Sequence, residues 1–129
     1  MRYRLDDPEP HVKTIAIEEH FSTPMQRQKS RVGEFEAFYL SSRSEHAGHS
    51  ITGQLADLDE QRLACMDAAG VDIQSLSFTT PGPQAFEAAE AILLAEDAND
   101  RLHEAVKRHP DRFAGFAALA CGGLSRRPT

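Results

Sequence analysis

Glu18-Glu19-His20 is the stretch whose residue types and spacing point most directly to chemistry. It closes a short apolar run, Thr14-Ile15-Ala16-Ile17, rich in β-branched residues. Such a run suits a strand buried on both faces, as in a parallel sheet. On a strand, residues two apart point the same way, so Glu18 and His20 project together while Glu19 faces the other side. A carboxylate beside an imidazole offers two good ligands for a divalent metal such as Zn²⁺ or Mn²⁺. Taken alone the motif also describes a hydrogen-bonded or solvated pair, and a catalytic zinc usually has three protein ligands and an open position.

Other candidates are weaker. His46-x-x-His49 has a spacing that suits a metal if helical, but Gly48 and Ser50 read as loop. His103 and His109 fall on or just after a helix and read as surface or helix-end residues, and His11 lies in a polar leader. Ser77-Phe78-Thr79-Thr80-Pro81-Gly82-Pro83-Gln84 follows a strand and brings hydroxyls and a Gly-containing turn to what would be a βα loop. Most such stretches are ordinary turns. Cys65 lies within a helix and reads as core. The sequence holds no Gly-rich phosphate loop, G-x-S-x-G elbow or kinase-type motif.

The elements that must position these residues follow from periodicity. Residues 1–11, with Pro8 and Pro10 among charges, read as an extended or disordered leader. A first strand ends at Glu18-Glu19-His20-Phe21, and Pro24 stops any regular element. Residues 22–53 are long and irregular, with Phe35, Phe38, Tyr39 and Leu40 able to form a short helix. A connection of this length in a compact domain implies a task such as covering a site. Residues 54–69 read as a helix with Leu55, Leu58, Leu63, Met66 and Ala69 on one face, ended by Gly70 at C′. A second strand is expected over 71–78 and a long helix over 84–108, with Phe86, Ala89, Leu93, Leu102, Ala105 and Val106 in its apolar stripe. A third strand is expected over 113–119. The order β-α-β-α-β is that of an α/β fold with a parallel sheet and right-handed crossovers. The domain therefore covers 12–119. Residues 120–129, with Gly122, Gly123, Arg126, Arg127 and Pro128, have no periodicity where another helix is due.

Bulk properties bound the function. The chain has 129 residues, enough for one domain, with 40% hydrophobic and 26% charged residues, as in soluble globular proteins. Its net charge is −6 and no Lys/Arg patch stands out, which leaves nucleic-acid binding without its electrostatic source. The polar first ten residues hold no signal-type apolar region, and no apolar stretch is long enough to cross a bilayer. The two cysteines form no C-x-x-C pair, so a disulfide is unprompted and a reducing cytoplasmic setting is the default.

Ile15-Ala16-Ile17-Glu18-Glu19-His20-Phe21 resembles the opening strand of the dihydroxybenzoate (γ-resorcylate) decarboxylases, relatives of aminocarboxymuconate semialdehyde decarboxylase in the amidohydrolase superfamily. Three further segments resemble that family in the same order. They are Arg62 to Val71, with Met66-Asp67-Ala68-Ala69-Gly70-Val71, then Leu76-Ser77-Phe78-Thr79-Thr80-Pro81-Gly82-Pro83-Gln84, and Ala98-Asn99-Asp100 with His109-Pro110-Asp111-Arg112-Phe113-Ala114-Gly115-Phe116-Ala117-Ala118-Leu119. The likeness runs from about Lys13 to Leu119, with a divergent stretch over 25–53.

The resemblance implies the N-terminal portion of a (β/α)₈ barrel with one divalent metal, zinc or manganese. The implied reaction is non-oxidative removal of CO₂ from an aromatic carboxylic acid without an organic cofactor. The metal would hold the substrate's carboxylate and a neighbouring oxygen, and an aspartate would protonate the ring carbon before CO₂ leaves. Glu18 and His20 match the first two metal ligands by position. Phe21, Ser77, Thr79, Thr80 and Pro81 match the border of the substrate pocket. The family's mid-barrel histidines and late catalytic aspartate have no counterpart in this sequence, and a full barrel needs at least ~200 residues. The expectation is therefore an interrupted decarboxylase that is inactive alone, with a premature stop or shifted frame after Leu119. Two alternatives stand beside it. One is a binding module completed by another chain or a second copy, since open sheet edges and apolar faces favour association. The other is a hydrolase of the same superfamily, which the Glu-x-His opening in place of His-x-His disfavours.

Overall fold

The computed structural model describes residues 12–29 and 51–121. The expected leader, the His46 and His49 pair, the short helix at Phe35 to Leu40 and most of the C-terminal tail lie outside the described residues. The described elements run β1 (Ile15–Phe21), α1 (Pro24–Lys29), α2 (Ile51–Ala56), α3 (Glu60–Ala69), β2 (Ile73–Phe78), a 3₁₀ turn (Pro83–Ala85), α4 (Ala88–Arg108) and β3 (Phe113–Gly115). The strands form a parallel sheet in the order β1-β2-β3. This is the expected α/β alternation, with α3 and α4 entering the two crossovers.

One face of the sheet carries the core. Phe21, Met66, Leu76, Leu102, Ala105 and Phe113 are buried together there, with Leu58 and Ala98. α4 buries Ala91, Leu94, Ala95, Ala98, Leu102 and Ala105, a spacing of three and four that makes one helical stripe. Leu102 and Ala105 are buried as expected and Val106 packs beside them, but nearer the helix start Leu93 is half exposed and its neighbour Leu94 is inside. Four of the six buried positions are alanines, which lets the helix axis approach the sheet closely. Gly115 continues that close approach, since a Cβ there would lie 2.5 Å from Leu102 Cδ2.

Several boundaries differ from the sequence expectation for identifiable reasons. Pro24 starts a helix instead of stopping one. Proline's fixed φ and missing N–H suit the first helical position, and Thr23 Oγ1 accepts from the Gln26 amide at 3.2 Å. The expected helix over 54–69 is broken into α2 and α3 at Asp57. There Asp57 Oδ1 accepts from the backbone amides of Asp59 at 2.9 Å and Arg62 at 3.3 Å, which opens a new helix start. Gly70 ends α3 as expected, with φ 68° in the left-handed region. Cys65 is exposed, not core, because α3 turns Met66 and not its neighbour toward the sheet. Val71 precedes β2 instead of joining it, and Pro83-Gln84-Ala85 forms the 3₁₀ turn before α4.

β3 is shorter than the expected strand over 113–119. The Phe116 amide still donates to Leu76 O at 2.9 Å, but the next turn of chain is taken over by a side chain. Asn99 on α4 donates from Nδ2 to Ala118 O at 2.9 Å and accepts from the Ala118 amide at 2.7 Å. Both backbone groups of Ala118 are thus satisfied by a helix instead of by a strand ladder.

Candidate functional site

The register of β1 against β2 decides which way the candidate ligands face. Ala16 pairs with Gln74, and Glu19 pairs with Leu76, so three steps along β1 match two along β2. β1 therefore bulges at Ile17 and Glu18. Gln74 and Leu76 are buried beneath the helices, which puts their partners Ala16 and Glu19 on the helix side. Residues that alternate with these turn to the outer face of the sheet, away from the helices. Ile17, at 68% exposure, and Glu18 are both open to solvent. His20 pairs with Ser77 and shares that outer face. His20 and Glu19 therefore turn to opposite faces, and Glu18 stands in the bulge without a register partner.

His20 is held at two points. Its Nδ1 lies 2.9 Å from Ser77 Oγ, and Ser77 Oγ in turn donates to Glu19 O at 3.3 Å. Its carbonyl oxygen accepts from Arg62 Nη2 at 2.9 Å. Arg62 reaches from α3 to gather this region. It also donates from Nε to Asp57 O at 2.7 Å, from Nη1 to Gln74 Oε1 at 3.1 Å and from Nη2 to Gln54 O at 3.0 Å. Burial pushes the guanidinium pKa down from its ordinary value, and the carboxylates of Glu19 and Asp57 oppose that shift. On the helix side, α2, α3 and β1 enclose a hollow of about 650 Å³ bordered by Gln54, Arg62, Cys65, Met66 and Gln74, with the Glu18–His20 segment at its rim.

The loop after β2 sits at the C-terminal ends of β1 and β2. The Thr79 amide donates to Phe21 O at 2.9 Å. Gln26 on α1 donates from Nε2 to Thr79 O at 2.9 Å and to Pro81 O at 3.0 Å. Thr80 is exposed, and Ser77, Thr79 and Pro81 are half-buried. Phe21 differs from the rest of the expected pocket border. It is 1% exposed and packs against Phe78 with ring centroids 5.4 Å apart, so its ring belongs to the core. The pairing of Phe21 with Phe78 in the ladder is the reason, since both rings turn inward together.

Glu18 and His20 fit a divalent metal in donor chemistry, and the tie between Nδ1 and Ser77 leaves Nε2 on the outer side of the ring. Among the described residues no trio of His, Cys, Asp or Glu is grouped to hold a metal. Sequence reasoning had not singled out Arg62, Gln26 or Asn99. All three act on distant backbone carbonyls, which spacing along the chain does not reveal.

No protein-family model matches the chain. Among curated proteins, it is 38% identical over 106 residues to the gamma-resorcylate decarboxylase of Rhizobium radiobacter, covering 81% of this chain and 30% of that protein. The fold superposes on 2,6-dihydroxybenzoate decarboxylase in complex with 2,6-dihydroxybenzoate, with TM-score 0.67 and 34% identity over 88% of this chain and 32% of that one. The chain is homologous to the gamma-resorcylate decarboxylases. It spans about 30% of the length of the curated decarboxylases it matches. The 5-carboxyvanillate decarboxylase of Novosphingobium aromaticivorans, solved with manganese and a nitrobenzoic acid, matches with TM-score 0.67 and 34% identity over 84% of this chain and 34% of its own. The β-α-β-α-β unit is thus part of the barrel on which gamma-resorcylate decarboxylases and their structural neighbours are built. No described helix is long and apolar enough to cross a membrane.

Proposed function

We propose that this chain supplies the opening βα units, and two of the metal ligands, of a metal-dependent decarboxylase acting on small aromatic hydroxy acids. The observation that supports this reading is the position of Glu18 and His20 towards the C-terminal end of β1 in a parallel sheet, the end at which barrel enzymes assemble their sites. A bound metal would supply Lewis-acid polarisation and charge stabilisation at the substrate's oxygens. The chain's own contributions are more local. Glu18 and His20 donate ligands, Arg62 fixes the backbone of His20, and Gln26 fixes the loop bearing Thr79, Thr80 and Pro81 against the pocket edge. Manganese is the first metal to try, because three neighbouring structures were solved with it, and zinc is the competitor. The free, exposed cysteines suit a reducing cytoplasmic setting.

By itself the chain is expected to be inactive, since it spans about 30% of the length of the decarboxylases it matches and no three-residue metal cluster is found among the described residues. Exposed Ile15, Ile17, Phe116 and Leu119 favour covering by further protein, either the remainder of a barrel or a second chain. The test is a chimera. Residues 13–119 replace the matching segment of the Rhizobium radiobacter relative, and manganese-dependent loss of CO₂ from 2,6-dihydroxybenzoate is followed. Activity that survives the graft and falls at least a hundredfold in H20Q is expected. A folded, metal-loaded chimera with no activity contradicts the reading.

A further inference from the structure

We propose that Ser77 is a positioning residue that holds His20 in its Nδ1–H tautomer and so presents Nε2 as the ligand atom. The argument is one of proton accounting. Ser77 Oγ carries a single proton and lies 2.9 Å from His20 Nδ1 and 3.3 Å from the carbonyl oxygen of Glu19. The carbonyl oxygen can only accept, so the serine proton goes to it. Oγ then offers lone pairs to the imidazole, and Nδ1 must carry the hydrogen between them. The hydrogen bond at one ring nitrogen sets the role of the other.

The arrangement is built by the fold. His20 and Ser77 are register partners in the parallel ladder, 57 residues apart in sequence. Arg62 holds the His20 carbonyl at 2.9 Å, which limits the strand's freedom to turn the ring away. A free imidazole in water favours the opposite, Nε2–H form, so the serine must reverse an intrinsic preference. Metal-bound histidines commonly owe their tautomer to such a second partner. The consequence for ligation rests on the metal reading above. The tautomer itself does not.

The experiment is a long-range ¹H–¹⁵N correlation of the full chain labelled at histidine, at a pH where the imidazole is neutral, with His20 assigned from the H20Q spectrum. The same nitrogen shifts can be read by magic-angle spinning on sedimented protein. Nε2 of His20 is expected at the shift of an unprotonated nitrogen and Nδ1 at that of a protonated one, with the Nδ1–H form in the majority and its population raised about fivefold over S77A, as one hydrogen bond supplies. S77A is expected to lose that excess and S77T, which keeps the hydroxyl, to retain it. An Nε2–H majority in the unsubstituted chain, or an S77A spectrum unchanged at His20, overturns the proposal. Mn²⁺ added to the same sample separates the two readings: broadening that spares His20 sinks the ligand assignment and leaves the tautomer standing.

Discussion

Arg62 donates to the carbonyl oxygen of His20 at 2.9 Å across 42 residues of sequence. One half-buried side chain on α3 thereby ties the metal-candidate end of β1 to the break between α2 and α3 and to Gln74 on β2. Arg62→Met keeps the apolar stem and removes every donor, leaving carbonyl acceptors without their partner. The expected loss is about 2–3 kcal/mol of unfolding free energy, read as a lowered urea midpoint. Arg62→Lys recovers only part of it, because an ammonium cannot reproduce the guanidinium's fork.

Gly115→Ala pushes a methyl group to within 2.5 Å of Leu102 Cδ2, and Leu102 is buried and hemmed in by the core. The expected cost is about 1–3 kcal/mol. Combining it with Leu102→Val is expected to cost less than the sum of the two single changes, which a double-mutant cycle by denaturant titration would show.

Gly70→Ala meets no steric obstacle but keeps a φ of 68° that a Cβ disfavours. A loss of about 1–2 kcal/mol is expected, confined to the α3 C-terminus. Comparison with Gly70→Asn, which tolerates the left-handed region better, checks the cause: Asn is expected to lose less than Ala.

Asn99→Ala removes both bonds that hold Ala118. Amide exchange at Ala118 is expected to accelerate to the rate of an unprotected loop, with about 1–3 kcal/mol lost in global stability. Unchanged exchange there would mean that the segment after β3 is held by something other than Asn99.

The alternation of strand and helix was legible because a short β-branched apolar run, Ile15-Ala16-Ile17, gives way to longer stretches whose apolar residues recur about every three to four positions, as in α4. Gly70 was legible as a helix stop for the same local reason. What escaped is non-local. The bulge at Ile17-Glu18 exists only relative to β2, so no pattern within β1 announces it. Asp57 breaks a helix because its carboxylate reaches two amides ahead of it, a choice that periodicity reads through. Phe21 sat next to the ligand motif in sequence yet turned into the core because its ladder partner is Phe78. Glu18 and His20 were visible as donors from residue type and spacing. Ser77 was visible only as part of a loop, and its tie to His20 needed the pairing of two strands.

The most direct test of the account is paramagnetic broadening by Mn²⁺ in the full chain. Side-chain resonances of Glu18 and His20 are expected to broaden first and together, and E18Q and H20Q are each expected to weaken the effect at the other residue. Broadening centred on other histidines or carboxylates, with Glu18 and His20 untouched, would contradict the assignment of this pair as metal ligands.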